Sequence, residues 1–395
     1  MAVYRSREAP IPPASRSSPV PSAFAAALDG KPWQRRASPL ARAALAAYTV
    51  LILYAGLSPW AGWRDLGISP WAFVASPMPR HVTAFDLIVN VLGYLPFGAL
   101  MVLALHPRLR GLAAVGAAAL TGLLLAASIE ALQTYLPRRV PSNLDLATNA
   151  AGALAGALLV LPFASSLIDR GRLAQLRARW FTREASVLLV LLALWPVAQM
   201  APAPMLFANG LLADTPPLLV SLGLMTPLQL AAAFGASEFV LAEATVVVAA
   251  LLAAGLALAA VMQPGAPRIP LLLALVTAAL LARGFAYATA FGPERAFVWL
   301  TPGAIGGLAL GLLVLLVAAH GRPAAIAAMA WLALLAWLAV VNLVPDNPYH
   351  VDWLARFRPG RLAHFRAVAE WLSLAWPWLL LVALAVLPWL RRRRR

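Results

Sequence analysis

Long apolar blocks, most of them about 18 residues or more, alternate along this chain with short polar or proline-bearing turns. Each such block can cross ~30 Å of hydrocarbon as a helix. The blocks fall at Leu40–Leu57, Leu87–Leu105, Leu112–Leu132, Leu146–Ile168, Ala185–Met200, Phe239–Met262, Pro270–Ala290, Phe297–Ala319, Ala324–Leu343 and Trp371–Leu390. They predict an all-α, polytopic transmembrane helical bundle of about ten helices. The short alternating strands of a membrane barrel are missing from the pattern. A further apolar run, residues 216–234, is interrupted by Pro216, Pro217 and Pro227 and reads as a re-entrant or interfacial segment.

The polar stretches divide the blocks. Residues 1–39, rich in Pro, Ser and Arg, have the composition of a disordered basic tail. A front group of four helices (40–168) is separated by a basic loop (169–184) from a rear group of about six (185–390), and Arg391–Arg395 follows. Between Pro345 and Glu370, apolar Trp353, Leu354, Phe357, Leu362, Phe365 and Val368 are interspersed with arginines, the pattern of an amphipathic helix on a membrane surface.

Composition strengthens the membrane reading: 62% of the 395 residues are hydrophobic, 12% are charged, and the mean hydropathy is +0.80. A soluble domain carries roughly 45–50% apolar residues. The chain has no cysteine, which excludes disulfides and thiolate chemistry. The net charge of +16 rests on arginine, with Lys31 the single lysine. In a chain this apolar it marks topology and anionic membrane lipids, not nucleic acid. A cytoplasmic N-terminus puts 21 basic residues inside and nine outside, and ten crossings then leave both termini cytoplasmic.

Against this background one polar pattern recurs. Asp86-Leu87-x-x-Asn90-x-x-Gly93 is echoed by Asp145-Leu146-x-x-Asn149-x-x-Gly152, with Ser128, Glu130 and Gln133 between the copies. Each Asp suits a helix N-cap at the positive end of the helix dipole. Each Asn lies one turn deeper on the same face. Gly93, Gly98, Gly152 and Gly156 favour close helix packing, and Pro96 kinks or opens its helix. Glu130 and Gln133 end their block at a similar depth, and Arg138 and Arg139 follow as partners for a membrane acid. Asp86, Asn90, Glu130, Gln133, Arg138, Arg139, Asp145 and Asn149 are therefore expected to converge in a polar pocket near the outer face, suited to an amphiphile headgroup bearing phosphate or sugar.

Elsewhere, Glu243 and Arg283 are expected to form an intramembrane structural pair. His81, His350 and His364 match no zinc spacing. No Walker loop, dinucleotide fingerprint or nucleophile elbow is present, so no metal or cofactor is expected.

Taken in order, Phe85-Asp86-x-x-x-Asn90-x-x-Gly93-x-x-Pro96-Phe97-Gly98, then Ser128-x-Glu130-x-x-Gln133, then Arg138 or Arg139, then Asp145-Leu146-x-x-Asn149-x-x-Gly152-x-x-x-Gly156 resembles the VanZ-like membrane domain, named for a glycopeptide (teicoplanin) resistance protein. The resemblance covers about residues 40–165. It implies a bacterial inner-membrane protein acting near the cell envelope, and it supplies no reaction. The expected function is non-catalytic binding of a lipid, a lipid-linked wall precursor or a glycopeptide by the front helices. The alternatives are a membrane enzyme using Glu130 with Asp86 or Asp145 as an acid/base set, and a transporter.

Overall fold

Prolines and capping side chains set where the helices begin and end, because uninterrupted apolar sequence carries no stop signal of its own. The computed structural model describes residues 38–78, 83–212, 235–344 and 363–392. The basic tail up to residue 37, the run 216–234, residues 345–362 and the last three arginines lie outside the described residues.

Helix α1 (Pro39–Leu57) opens on Ser38, whose Oγ accepts from the Ala41 N–H, with Pro39 at the first helical position. α2 (Ala84–Leu105), α3 (Gly111–Gln133) and α4 (Asn143–Val160) complete the front group. α4 stops short of the predicted Ile168: Pro162 has no N–H to continue it, and a 3₁₀ turn (Leu161–Phe163) and a π turn (Ser166–Arg170) follow. The basic loop contains a helix that was not predicted, α5 (Arg172–Trp180).

The rear group begins with α6 (Ser186–Ala198), whose 13 residues rise only ~20 Å. The chain continues as an irregular, buried stretch, 199–212, with Phe207 and Gly210 at positive φ. α7 (Ala236–Ala260), α8 (Arg268–Phe291), α9 (Pro302–Ala318), α10 (Pro323–Leu343) and α11 (Ala363–Arg392) follow. α9 starts later than the predicted Phe297 because Thr301 caps the Ala304 N–H and Pro302 fits only the first position. Residues 363–370, expected in a surface helix, are instead the first turns of α11, where Arg366 and Glu370 pair at 2.6 Å. Among the described residues, eight helices are long and apolar enough to cross a membrane, and α9 is a shorter apolar one. The chain is a multi-pass membrane protein. Of the ten blocks expected to span, the other two form the shorter apolar helices α6 and α9.

Alternating helix direction gathers charge by end. Arg42 donates to the Ala104 carbonyl, Thr182 N–H to Val261, and Arg268 to Ala319, tying together the end that also carries Arg108, Arg110, Arg172, Arg179 and Arg183. The opposite end carries Asp86, Glu130, Asp145, Glu238 and Glu243. We call these the basic and acidic ends.

α2 and α4 run in the same direction and touch backbone to backbone. A Cβ at Gly98 would collide with the Ala153 carbonyl, at Gly152 with that of Val91, and at Gly156 with that of Leu95. Gly93 does not share this role: a Cβ there meets nothing within 4 Å, and its carbonyl accepts from Tyr48 Oη at 2.9 Å. In the rear half Gly303, Gly307 and Gly311 bring α9 onto α7 in the same way. Gly98→Val or Gly156→Val should therefore cost about 1–3 kcal/mol through forced separation of α2 and α4. Gly93→Ala should be neutral, or stabilising by up to ~1 kcal/mol through helix propensity. Thermal unfolding of the purified variants in detergent checks this, and equal losses at all three positions would contradict it.

Candidate functional site

The repeated motif begins three residues before its aspartates. Thr83 and Ser142 are the N-caps of α2 and α4, so each copy reads Thr/Ser-x-x-Asp and the acid lies in the first turn, not at the cap itself. In the first copy the capping box closes. Asp86 N–H donates to Thr83 Oγ1 at 3.2 Å, and Asp86 Oδ2 accepts from Thr83 N–H at 3.2 Å and from its hydroxyl at 2.7 Å. In the second copy Ser142 Oγ still accepts from the Leu144 and Asp145 N–H groups, but Ser142 N–H donates to Glu130 Oε2 at 2.7 Å. Asp145 is thereby released from closing the box, and its Oδ1 accepts from Asn90 Nδ2 at 3.0 Å.

The groups are stacked in layers. Tyr94 on α2, Ala126 on α3 and Ala153 on α4 pack together with Phe97 as an apolar floor. One helical turn closer to the acidic end lie Asn90, Glu130 and Asn149, each four residues from its floor residue. Asp86 and Asp145 stand one turn further out. Glu130 is 2% exposed and Asn149 is 8% exposed. The Asn149 side chain has no hydrogen bond among the described residues, and the buried Tyr94 Oη has no partner either. Tyr94 was missed from sequence, although Asp86, Asn90 and Tyr94 follow one another at intervals of four.

Gln133 and Arg139 turn toward α1. Gln133 Nε2 donates to Gly56 O at 2.8 Å; Arg139 donates through Nε to Ser58 O at 2.9 Å and through Nη2 to Ala55 O and Gly56 O at 3.0 and 3.2 Å. They satisfy carbonyls that the C-terminus of α1 leaves open. Burial pushes the Arg139 guanidinium below its ordinary value, and the neighbouring carboxylates of Glu130 and Asp145 hold it up. Arg138 is exposed at the rim. The structure thus gathers Asp86, Asn90, Glu130, Arg139, Asp145 and Asn149, sets Gln133 beside α1, and leaves Arg138 outside. Pro96 lies within α2 between Gly93 and Gly98.

Residues 42–165, which contain all of these groups, match the family model described as VanZ/LLP1. This segment is a VanZ-like domain. No curated protein and no solved structure matches the chain. The polar layers of the VanZ-like domain are built by three of its four helices, and α1 closes them from the side through Gly56.

Beyond the VanZ-like domain, the expected Glu243–Arg283 pair does not form. Arg283, 1% exposed, donates to the carbonyls of Ala201, Ala203 and Met205 at 2.6, 2.9 and 3.3 Å and to Tyr287 Oη at 3.1 Å. Glu243 Oε2 instead accepts from Thr301 Oγ1 at 2.5 Å, at the positive end of α9. The reason is the unwound stretch 199–212: it exposes a run of carbonyls that apolar surroundings cannot satisfy, and the guanidinium fork answers several at once. Gln199, Asn209, Asn342 and Ser373 tie the same stretch to α10 and α11. Sequence reasoning overlooked this network; Pro202, Pro204 and Asn209-Gly210, unusual in an apolar run, were its signal. Arg283→Leu should cost at least ~3 kcal/mol, since several carbonyls lose their donor together. The reciprocal exchange E243R/R283E should not restore expression lost in the single variants, and a recovery would show that the two side chains pair after all.

Proposed function

We propose that the VanZ-like domain binds the headgroup of a cell-envelope amphiphile between α2, α3 and α4 at the acidic end, without transforming it. The observation that carries this reading is the buried Tyr94 Oη, which has no partner, beside a layer holding Glu130 and an Asn149 amide that makes no hydrogen bond among the described residues. A buried hydroxyl without a partner costs free energy that a ligand's hydrogen bonds would remove. The chemistry of the layer narrows the headgroup. Glu130 and Asp145 take their hydrogen bonds from neutral donors, while Arg139 donates to the Ala55, Gly56 and Ser58 carbonyls, so the interior favours a headgroup rich in donors, such as a sugar or an amine. A phosphate on the same amphiphile would be placed at the rim, near Arg138.

By the positive-inside rule the basic end is cytoplasmic. The layer then opens toward the outer face of a bacterial inner membrane, where lipid-linked wall precursors and glycopeptides would be encountered. Binding there would link the protein to glycopeptide resistance. An acid/base enzyme using Glu130 would need the same layer, and turnover by the wild type that Glu130→Gln abolishes would favour it over binding alone.

The test uses the full chain purified in mild detergent, with co-purifying lipids counted by mass spectrometry. Tyr94→Phe and Asn149→Ala should each lower amphiphile occupancy by about 2–10-fold, the value of one hydrogen bond. Because Tyr94→Phe removes a hydroxyl that has no protein partner, the ligand-free variant should unfold at the same temperature as the wild type or higher. Unchanged occupancy in both folded variants would overturn the reading.

A further inference from the structure

The short helix α5 takes no part in the layers described above, and its surroundings fix it at one depth. Gln263 Nε2 donates to the Ala178 and Phe181 carbonyls, both at 2.9 Å, Gln263 N–H donates to Trp180 O at 2.8 Å, and Phe181 bridges to Met262. These partners follow directly on the apolar span that ends at Ala260. The C-terminus of α5 is therefore held where α7 leaves the hydrocarbon, at headgroup level. Arg177 locks the turn from within, donating to Phe181 O, Arg183 O and Ser186 Oγ.

The free side of α5 has two chemistries. Leu173, Leu176 and Trp180 recur at intervals of three and four and form one stripe, with Leu173 61% exposed. Arg172 and Arg179, seven residues apart, line one side of that stripe and are exposed. An apolar stripe bordered by arginines is the arrangement of a helix lying in a membrane interface, where the stems lie along the acyl boundary and the guanidinium groups reach phosphates.

We propose that α5 is an interfacial helix that binds anionic phospholipid at the basic end, with Arg172 and Arg179 on the headgroup phosphate and Leu173 in the acyl boundary. Charge complementarity selects the partner: a zwitterionic lipid offers no net attraction to the helix, whereas each arginine near an anionic surface is worth about five-fold in affinity. The site is independent of the amphiphile layer, which lies at the other end of the bundle.

The full chain, delipidated in neutral detergent, would be titrated with phosphatidylglycerol or phosphatidylcholine and followed by native mass spectrometry. Phosphatidylglycerol is expected to bind in preference, and R172Q/R179Q to lose about five-fold in affinity per arginine removed, with unchanged circular dichroism. Leu173→Asn should weaken the same binding with the charge intact. R108Q/R110Q removes equal charge elsewhere on the basic end and should leave binding as it was. The proposal is overturned if R172Q/R179Q retains wild-type affinity, or if R108Q/R110Q loses as much, which would make bulk charge the cause. Displacement of the lipid by excess inorganic phosphate would overturn it too, in favour of a free anion site.

Discussion

A backbone carbonyl that leaves its helix in apolar surroundings must find a donor, and in this protein two arginines supply donors where the chain cannot. Arg139 answers the last carbonyls of α1. Arg283 answers those of the unwound stretch after α6. Both side chains sit beside acids or within spans, where ion pairing is the first expectation. Both are committed mainly to backbone, because a guanidinium can serve several carbonyls in a fixed fork while a carboxylate can be satisfied by a hydroxyl or an N–H.

This allocation shapes the polar layers. With Arg139 held against α1, two acids of the VanZ-like domain are answered by neutral donors: Glu130 by the Ser142 N–H and Asp145 by Asn90. The interior of the domain keeps an excess of acceptors. The rear half follows the same economy, with Glu243 on Thr301 and the amides of Asn209 and Asn342 on neighbouring backbone and side chains.

Much of the fold was legible because hydrocarbon imposes length and apolarity, and each of the ten apolar blocks coincides with a helix. The ends were harder. Pro162, Thr83, Ser142 and Pro302 are local signals that a hydropathy reading passes over, and each moves a boundary by several residues. The convergence of Asp86, Asn90, Glu130, Asp145 and Asn149 was also legible, from motif spacing and helix direction together. The partners of Arg139 and Arg283 were not, for a physical reason: every residue carries a carbonyl, so a side chain bound to backbone leaves no signature in its partner's identity. Tyr94 was overlooked because an aromatic in a span reads as packing until its hydroxyl is found without a partner.

The two copies of the motif are alike in sequence and unlike in wiring. In the second, one backbone N–H at the start of α4 has two possible acceptors, Glu130 and Asp145, and it is given to Glu130. Because Ser142 gives its N–H to Glu130 on α3, the Asp145 carboxylate is left to Asn90 on α2, so the first turn of α4 is pinned to both neighbouring helices at once, where in the first copy Thr83 gives its own N–H to Asp86 of the same helix.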